Sequence, residues 1–303
     1  MQFSVYLALA AALVASYVLR PTARRLAPRA AAGVLAVGGL AAGLVWTAAL
    51  SLLFAATVGR VGVVARLGHW SAALITAREP VPLAAGLVGT AVLGGGGLMV
   101  GVAFGRLVGE LRGIRRLRDQ AADRRDGDVA VIESASPVAL ALPGWRGSVV
   151  LTSSMLQALE PAEQRVLLAH ERCHLYNAHW LYRLTTRLGA AVLPTLRPTV
   201  RQCDLALERW ADETAADAVG DRRLTATAIA KAALATSTSP EPALTPAFIS
   251  GPVVQRVEAM LEPPRASRWA SLAWPTGLLG VALTAVVLAG GNLEDLFELA
   301  KHL

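Results

Sequence analysis

Charged residues are scarce in this sequence, and four long stretches contain none. Of its 303 residues, 17% are charged and 54% are hydrophobic. The mean hydropathy is +0.48. The uncharged stretches cover about residues 2–19, 30–59, 81–105 and 269–290, and each is long enough to cross about 30 Å of hydrocarbon as a helix. The sequence therefore predicts an α-helical multi-span membrane protein, with three spans in residues 1–105 and a fourth at 269–290.

Other absences narrow the class of protein. No basic residue precedes the first stretch, whereas Arg20 follows it, which reverses the charge order of a secretory signal peptide, so we expect this stretch to be retained. The spans lack the buried acidic and basic residues that mark ion pathways, which argues against a transporter. The two cysteines, Cys173 and Cys203, fall in a part expected to face the reducing cytoplasm, so no disulfide is predicted.

The distribution of arginine predicts the orientation in the membrane. Four arginines lie in residues 20–29 and five in residues 106–118, and short basic segments beside a span tend to stay in the cytoplasm. Three arginines between the second and third spans act against this pattern without reversing it. We therefore expect a multi-pass plasma-membrane protein with both termini outside, a cytoplasmic domain at 106–268 and a short outward tail at 291–303.

The net charge of +7 is explained most simply by contact with the lipid bilayer. Most of the excess lies beside the spans, where the anionic surface of the lipid bilayer attracts basic residues. Direct binding of nucleic acid is therefore not expected. The oligomeric state is left open by the sequence.

The segment 106–268 is the one stretch polar enough to fold in water, and its patterns predict an α+β domain. A basic juxtamembrane helix opens it, and an alternating pattern around Pro143, Gly144 and Gly147 indicates a β-hairpin. In order, the other predicted elements are a strand at 129–133, a helix from Pro161 to Leu188, a broken apolar segment around Pro194, a helix at 204–219 closed by Gly220, a Pro-rich loop at 237–248 and a short helix at 253–262.

Glycines with a spacing of four residues occur in two of the spans. They are Gly39 and Gly43 in the second span, and Gly97, Gly101 and Gly105 in the third. Small residues at this spacing let two helices approach closely. We expect these glycines to pack inside the bundle, so they predict nothing about oligomers.

The sequence "HERCH" at residues 170–174 lies well inside the predicted helix from Pro161 to Leu188. Residues four apart lie about 40° apart around a helix, so His170 and His174 can bind one metal ion. Glu171 lies about 100° from His170, close enough to reach water at the metal without being a ligand. This is the arrangement of a zinc peptidase, with Glu171 as the general base.

A catalytic zinc ion needs a third protein ligand, and the helix predicted at 204–219 offers one. Glu208 in "ERWAD" is the candidate. Asp212 lies one helical turn later on the same face, where it can hydrogen-bond and orient a ligating histidine. The alternative interpretation, two ordinary histidines and a solvated acidic face, does not explain why pattern, spacing and domain context coincide.

The donor that would stabilise the developing oxyanion stays open at this point. His179, Tyr176 and Arg209 are near in sequence, but none is fixed by spacing. His179 would lie about 140° around the helix from His174, so we interpret it as a surface or packing histidine and not as a ligand. Cys173 is expected to be a small buried residue.

The residues from "ALALPGWRGSVVLTSSML" through "HERCH" to "ERWAD" carry a resemblance to a known family. In this order they resemble the membrane-embedded gluzincin peptidases of the antirepressor type, the peptidase part of the BlaR/MecR β-lactam sensor-transducers. They also look like the related CAAX prenyl-protease and HtpX membrane peptidases. Three spans, a zinc domain and a fourth span favour the antirepressor type.

This resemblance implies a zincin-like metallopeptidase domain that binds one Zn²⁺ through His170, His174 and Glu208, with Glu171 as catalytic base. It implies a protein or peptide substrate, such as a transcriptional repressor, or self-cleavage in signal transduction. The β-lactam sensors continue into an extracellular penicillin-binding domain, whereas this sequence ends at Leu303, so direct β-lactam sensing is not expected. The alternatives are a quality-control protease and a non-catalytic signalling scaffold with a structural zinc ion.

Overall fold

The computed structural model is mostly helical, with one small β-sheet beside a helical bundle. It describes residues 2–78, 81–121, 125–144, 147–237, 253–263 and 269–301.

Among the described residues, four helices are long and apolar enough to cross a membrane, as the sequence predicts. They are α1 (Gln2–Ala23), α2 (Pro28–Val58), α5 (Leu83–Ala121) and α12 (Ala273–Lys301). Two short helices, α3 (Gly62–Gly68) and α4 (Ala72–Arg78), lie between α2 and α5.

Two of these helices extend beyond the predicted spans. Helix α5 continues through the basic residues after 105 without a break, so the third span and the predicted juxtamembrane helix form one helix of 39 residues. Helix α12 includes most of the predicted tail, because residues 291–301 continue its last turns. No proline lies at either predicted boundary, and both helices continue through the glycines there, Gly105 in α5 and Gly290 and Gly291 in α12.

The predicted strand and hairpin are both confirmed. Strands β1 (Arg125–Asp126), β2 (Val129–Ile132), β3 (Ala139–Leu142) and β4 (Ser148–Thr152) form a sheet in the order β1-β2-β4-β3. Strands β3 and β4 pair antiparallel, and β2 pairs parallel with β4. This order places β3 at an edge of the sheet, next to β4, which is wholly buried.

The prediction of one helix from Pro161 to Leu188 is wrong. After α6 (Ser153–Gln157), α7 covers only Pro161–Tyr176, and a new helix, α8, covers His179–Val192. Ala178 adopts a left-handed conformation with φ of 49°, and the Asn177 side chain donates to the carbonyl oxygen of Cys173 at 3.1 Å. This turn redirects the chain, so positions after Tyr176 do not follow the angular spacing of α7.

The helix predicted at 204–219 is longer than expected. A 3-10 turn at Pro194–Leu196 leads directly into α9 (Arg197–Val219), in which Pro198 takes an early position that requires no backbone donor. Gly220 ends α9 with φ of 71°, as predicted. Helices α10 (Arg222–Ser237) and α11 (Val253–Leu261) follow, and the predicted Pro-rich loop falls almost entirely outside the described residues.

Helices α8 and α9 share one apolar core with α1 and α2. Leu19 of α1 and Leu35 of α2 pack in the same cluster as Leu193, Leu207 and Trp210. Helices α2 and α8 approach closely, because a side chain at Gly189 would meet the backbone of Gly39 at 2.6 Å. The helices that carry the candidate site are therefore fixed directly to the first two long helices.

Candidate metal centre

A cavity of about 780 Å³ lies between α5 and β3 on one side and α7 to α11 on the other. Its walls include His170, Glu171, His174 and Glu208. These four residues were predicted as site residues, and the break after α7 does not separate them because all three motif residues precede it.

Three of these side chains direct donor atoms towards one another. His170 Nε2 and His174 Nε2 are 3.1 Å apart. Glu208 Oε2 lies 3.5 Å from His170 Nε2, and Glu208 Oε1 lies 3.6 Å from His174 Nε2. All three residues can contribute to one metal site, with donor atoms within 4.8 Å of one another.

The spacing of these donors fits a zinc ion. Two ligand atoms bound at about 2.0–2.1 Å in a tetrahedral arrangement lie about 3.3 Å apart, and the three distances in the structure fall on either side of this value. Two imidazoles and one carboxylate form a three-ligand set that leaves a fourth position for water or substrate. The donor set therefore suits a catalytic site better than a closed structural site.

His170 is oriented by a buried carboxylate. Asp212 has no exposed surface and accepts a hydrogen bond from His170 Nδ1 at 3.0 Å. Arg256 donates to both oxygens of Asp212, at 2.8 and 2.7 Å. Burial lowers the pKa of His170, but its hydrogen bonds to Asp212 and Glu208 outweigh this and raise it to about 9.

His174 has a different neighbour. Its Nδ1 lies 2.6 Å from Nδ1 of His179, which is 1% exposed. Burial and the nearby Arg183 lower the pKa of His179 to about 3. His179 is therefore neutral. Of the two predicted possibilities, a surface or a packing histidine, it is a packing residue, and it opens α8 instead of continuing α7.

The carboxylate of Glu208 lies between two arginines. Arg183 Nη2 donates to Oε1 at 2.7 Å, and Arg256 Nη1 lies 3.1 Å from Oε2. Burial would raise the pKa of Glu208, but the site histidines and Arg256 hold it well below its ordinary value. Each carboxylate oxygen has two acceptor positions, so Glu208 can bind a metal ion and keep its arginine partners.

Glu171 faces the same cavity but is not part of the three-donor cluster, which consists of His170, His174 and Glu208. It is 9% exposed, and burial raises its pKa above the ordinary value of 4.5. A backbone hydrogen bond from Ala141 of the edge strand β3 partly opposes this rise. The raised pKa makes Glu171 a better proton acceptor than an ordinary exposed glutamate.

The three oxyanion candidates have different positions. Tyr176 is 69% exposed and donates to Asp128 at 2.8 Å. Tyr176 and Arg209 are not among the residues that line the cavity, whereas His179 is. Nδ1 of His179 is already in contact with Nδ1 of His174, at 2.6 Å.

Sequence reasoning missed two arginines, Arg183 and Arg256. Arg183 lies on α8. The one local feature of the sequence that could have indicated a role for it is its position within an apolar stretch. Arg256 lies on α11, which is held against α9 by Arg222: this residue donates to Glu213 and to the carbonyl oxygens of Met260, Ala259 and Glu262. Neither contact to Glu208 follows from a periodic pattern.

Two helical histidines, a glutamate from a second helix and a further buried glutamate beside them form the side-chain set of a metal-dependent hydrolase. Comparison with known families agrees. The profile of peptidase family M48 matches residues 112–264, about half of the chain, from the end of α5 to just beyond α11. The chain belongs to peptidase family M48, whose members are metal-dependent peptidases. Searches of curated proteins and of solved structures gave no significant match.

Proposed function

We propose that this protein is a zinc-dependent membrane endopeptidase in which His170, His174 and Glu208 bind the metal and Glu171 is the general base. The convergence of three donors beside a buried, proton-accepting carboxylate carries this proposal. Family membership supports the reaction class. Beyond the reaction class, the proposal specifies zinc as the metal, a role for each residue and cleavage within a peptide chain instead of at its ends.

A zinc ion at this site supplies Lewis-acid chemistry, which makes water a nucleophile at neutral pH. Glu171 takes a proton from the attacking water and passes it to the leaving amine, so no covalent enzyme intermediate is needed. Asp212 holds His170 in the orientation that presents Nε2 to the metal. The arginines on Glu208 keep this carboxylate ionised and in place.

The edge strand β3 offers a place for the substrate backbone. It borders the cavity, and its Ala141 contacts Glu171. An extended peptide can pair with an exposed strand edge through main-chain hydrogen bonds. Because such a peptide continues past both ends of β3, this mode of binding favours internal cleavage over removal of terminal residues.

The domain division and the orientation belong to the same proposal. We assign the peptidase domain to residues 106–268 on the cytoplasmic side of the plasma membrane, with three spans before it, one span after it and both termini outside. The arginines beside the long helices support this orientation. A cysteine-labelling map of the two sides of the membrane tests it: labelling of the 20–29 loop from outside would contradict it.

For the biological role, our first candidate is regulatory proteolysis of a cytoplasmic repressor, or of the protein itself, in response to an envelope signal. The order of hairpin, metal-binding helix and second helix between the third and fourth apolar helices supports it, because this order resembles that of the antirepressor peptidases.

The second candidate is degradation of membrane-bound proteins, and one observation favours it. The cavity wall includes Met99, Val102, Ala103 and Phe104, which belong to the apolar part of α5. A substrate that reaches the metal along this wall can be an apolar segment next to the bilayer. A non-catalytic scaffold is disfavoured, because a structural zinc site has no use for Glu171.

The first test is metal content in the full-length protein purified in detergent. We expect about one zinc per chain, lost in His174→Ala and Glu208→Ala but kept in Glu171→Gln. Glu171→Gln should lower the rate of peptide cleavage by about 10²–10⁴-fold. Glu133→Gln is the matched control, because Glu133 is exposed. Wild-type protein without zinc, or an active Glu171→Gln variant, would contradict the mechanism.

The second test separates the two roles. Protein half-lives are compared in cells that contain wild-type protein or Glu171→Gln. Stabilisation of one soluble regulator with unchanged turnover of membrane proteins supports regulatory proteolysis. Stabilisation of many membrane proteins supports degradation instead, and unchanged signalling in the variant would move the scaffold to the front.

A further inference from the structure

His179 occupies a position that the metal chemistry described so far does not use. The left-handed turn at Ala178 starts α8 at His179 and brings its imidazole behind His174, on the side away from the other metal donors. The ring is almost completely buried and packs against Trp210, with ring centroids 4.6 Å apart. A histidine held in this way has a fixed orientation.

The two nitrogens of His174 face different partners. Its Nε2 lies near His170 and Glu208, at 3.1 and 3.6 Å. Its Nδ1 lies 2.6 Å from Nδ1 of His179. An imidazole that binds a metal through Nε2 carries its proton on Nδ1, and a hydrogen-bond partner of that proton determines which nitrogen is free to bind.

His179 cannot itself join the same set of ligands. Its Nδ1 is in hydrogen-bond contact with the nitrogen of His174 that points away from the three-donor cluster. Its Nε2 is buried, with no hydrogen-bond partner among the described residues. Among the described residues, the ring nitrogens of His179 therefore make one hydrogen-bond contact, the one with His174.

We propose that His179 is a positioning residue for the metal, which accepts a hydrogen bond from Nδ1–H of His174 and thereby directs Nε2 of His174 towards the metal. The inference rests on the proposed function, since it assumes that His174 is a ligand. His170 receives the corresponding support from Asp212. The two ligating histidines are thus oriented by different groups, a carboxylate paired with Arg256 and an imidazole enclosed by aromatic rings.

The test compares metal dissociation constants of the full-length protein in detergent, measured by competition with a chelator of known affinity. His179→Phe keeps the ring volume and removes the acceptor, and we expect it to weaken zinc binding by about 10–100-fold. His179→Asn places an acceptor oxygen close to the position of Nδ1 and should restore most of the affinity. Tyr182→Phe is the matched control, because Tyr182 packs in the same aromatic cluster.

The cobalt-substituted protein provides a second measurement. A change in the visible absorption of bound Co²⁺ in His179→Phe, absent in His179→Asn and Tyr182→Phe, reports altered ligand geometry and not a loss of packing. Equal zinc affinity in His179→Phe and wild type would overturn the inference. Equally weak binding in His179→Phe and His179→Asn would also overturn it, since packing alone would then explain the loss. If wild type binds no zinc, the proposed function itself fails, and this outcome is distinct.

Discussion

The two walls of the cavity differ in how firmly they are held. One wall carries the candidate metal ligands and is called here the metal-binding wall. On it, Glu208 is 5% exposed and Asp212 has no exposed surface, and both are paired with Arg256. On the opposite wall, formed by α5, Phe104 is 65% and Met99 is 41% exposed. One wall is fixed by ion pairs and core packing, whereas the other presents apolar side chains with few contacts.

This difference matches two separate requirements of a peptidase. Metal ligands must keep their geometry within a fraction of an ångström, and buried hydrogen-bonded supports provide this. A surface that accepts varied peptide segments needs apolar area and few fixed partners. We therefore expect substitutions on the metal-binding wall to affect stability and metal affinity, and substitutions on the α5 wall to affect substrate binding alone.

The largest effect is expected from Asp212→Asn on the metal-binding wall. The change removes one of the two carboxylates that pair with the buried Arg256, the other being Glu208, and it weakens the support of His170. Loss of one member of a buried ion pair costs about 3–5 kcal/mol, and loss of such a support weakens metal binding by about 10–100-fold. Thermal unfolding in detergent and zinc competition measure the two effects.

Asp217→Asn is the matched control on the same helix, because Asp217 is exposed. It should change neither quantity. Wild-type stability in Asp212→Asn would mean that the ion pair does not hold this wall, and the contrast between the two walls would lose its main support.

A smaller effect is expected where α8 meets α2. A methyl group at Gly189 would lie 2.6 Å from the carbonyl oxygen of Gly39, and the contact is with backbone that cannot rotate away. Overpacking of this kind costs about 1–3 kcal/mol. Gly189→Ala should therefore lower the unfolding temperature, and because α8 carries Arg183 to Glu208, it should also weaken zinc binding.

Gly101→Ala provides the comparison on α5. A methyl group there meets nothing within 4 Å, so no loss of stability is expected. The same is true of Gly97 and Gly105, which the sequence predicted to pack inside the bundle. Destabilisation by Gly101→Ala in the purified protein would contradict the open character of the α5 wall.

These glycines illustrate how far sequence reasoning reached. Long uncharged stretches predicted the four long helices. Regular spacing predicted the hairpin and the residues of the His-Glu-x-x-His pattern, because each depends on neighbours along one element. The spacing of small residues shows that close packing is possible but not which helix comes near. The prediction of internal packing is therefore wrong for Gly97, Gly101 and Gly105, whereas Gly43 does contact α8.

The side chains that orient the candidate ligands could not be predicted, for a related reason. The position of His179 depends on the turn at Asn177 and Ala178, and no glycine or proline marks this turn in the sequence. Arg256 reaches Asp212 across 44 residues of chain. Contacts at such separations arise from the tertiary fold, so the sequence predicted the candidate ligands and one support, Asp212, but not the remaining supports.

A modest effect on substrate binding is expected on the α5 wall. Phe104 lines the cavity and is largely exposed, so a bound apolar segment would cover part of its ring. Loss of about 1 kcal/mol of apolar contact raises KM about fivefold. Phe104→Ala should therefore raise KM with unchanged zinc content and unfolding temperature. Phe3→Ala is the control, because Phe3 is exposed on α1 away from the cavity.

The smallest effect is expected outside both walls, at the ion pair between Asp128 and Arg172. Arg172 donates to both carboxylate oxygens at 2.8 and 2.7 Å, but both side chains are partly exposed. Exposed pairs contribute about 0.2–1 kcal/mol, so Asp128→Asn should lower the free energy of unfolding by this amount and leave zinc affinity unchanged. Arg165→Gln, a change at another arginine of α7, is the comparison for a general charge effect.

The pH dependence of this contribution has a definite sign. The hydrogen bond from Arg172 lowers the pKa of Asp128 from 3.8 to about 2, so the folded protein favours the ionised carboxylate. The stabilisation is fully present above the unfolded pKa and is lost as the pH falls through the folded one. The difference in unfolding free energy between wild type and Asp128→Asn should therefore be constant from about pH 7 to 5 and disappear towards pH 2. A difference that changes between pH 7 and 5 would assign the effect to another group.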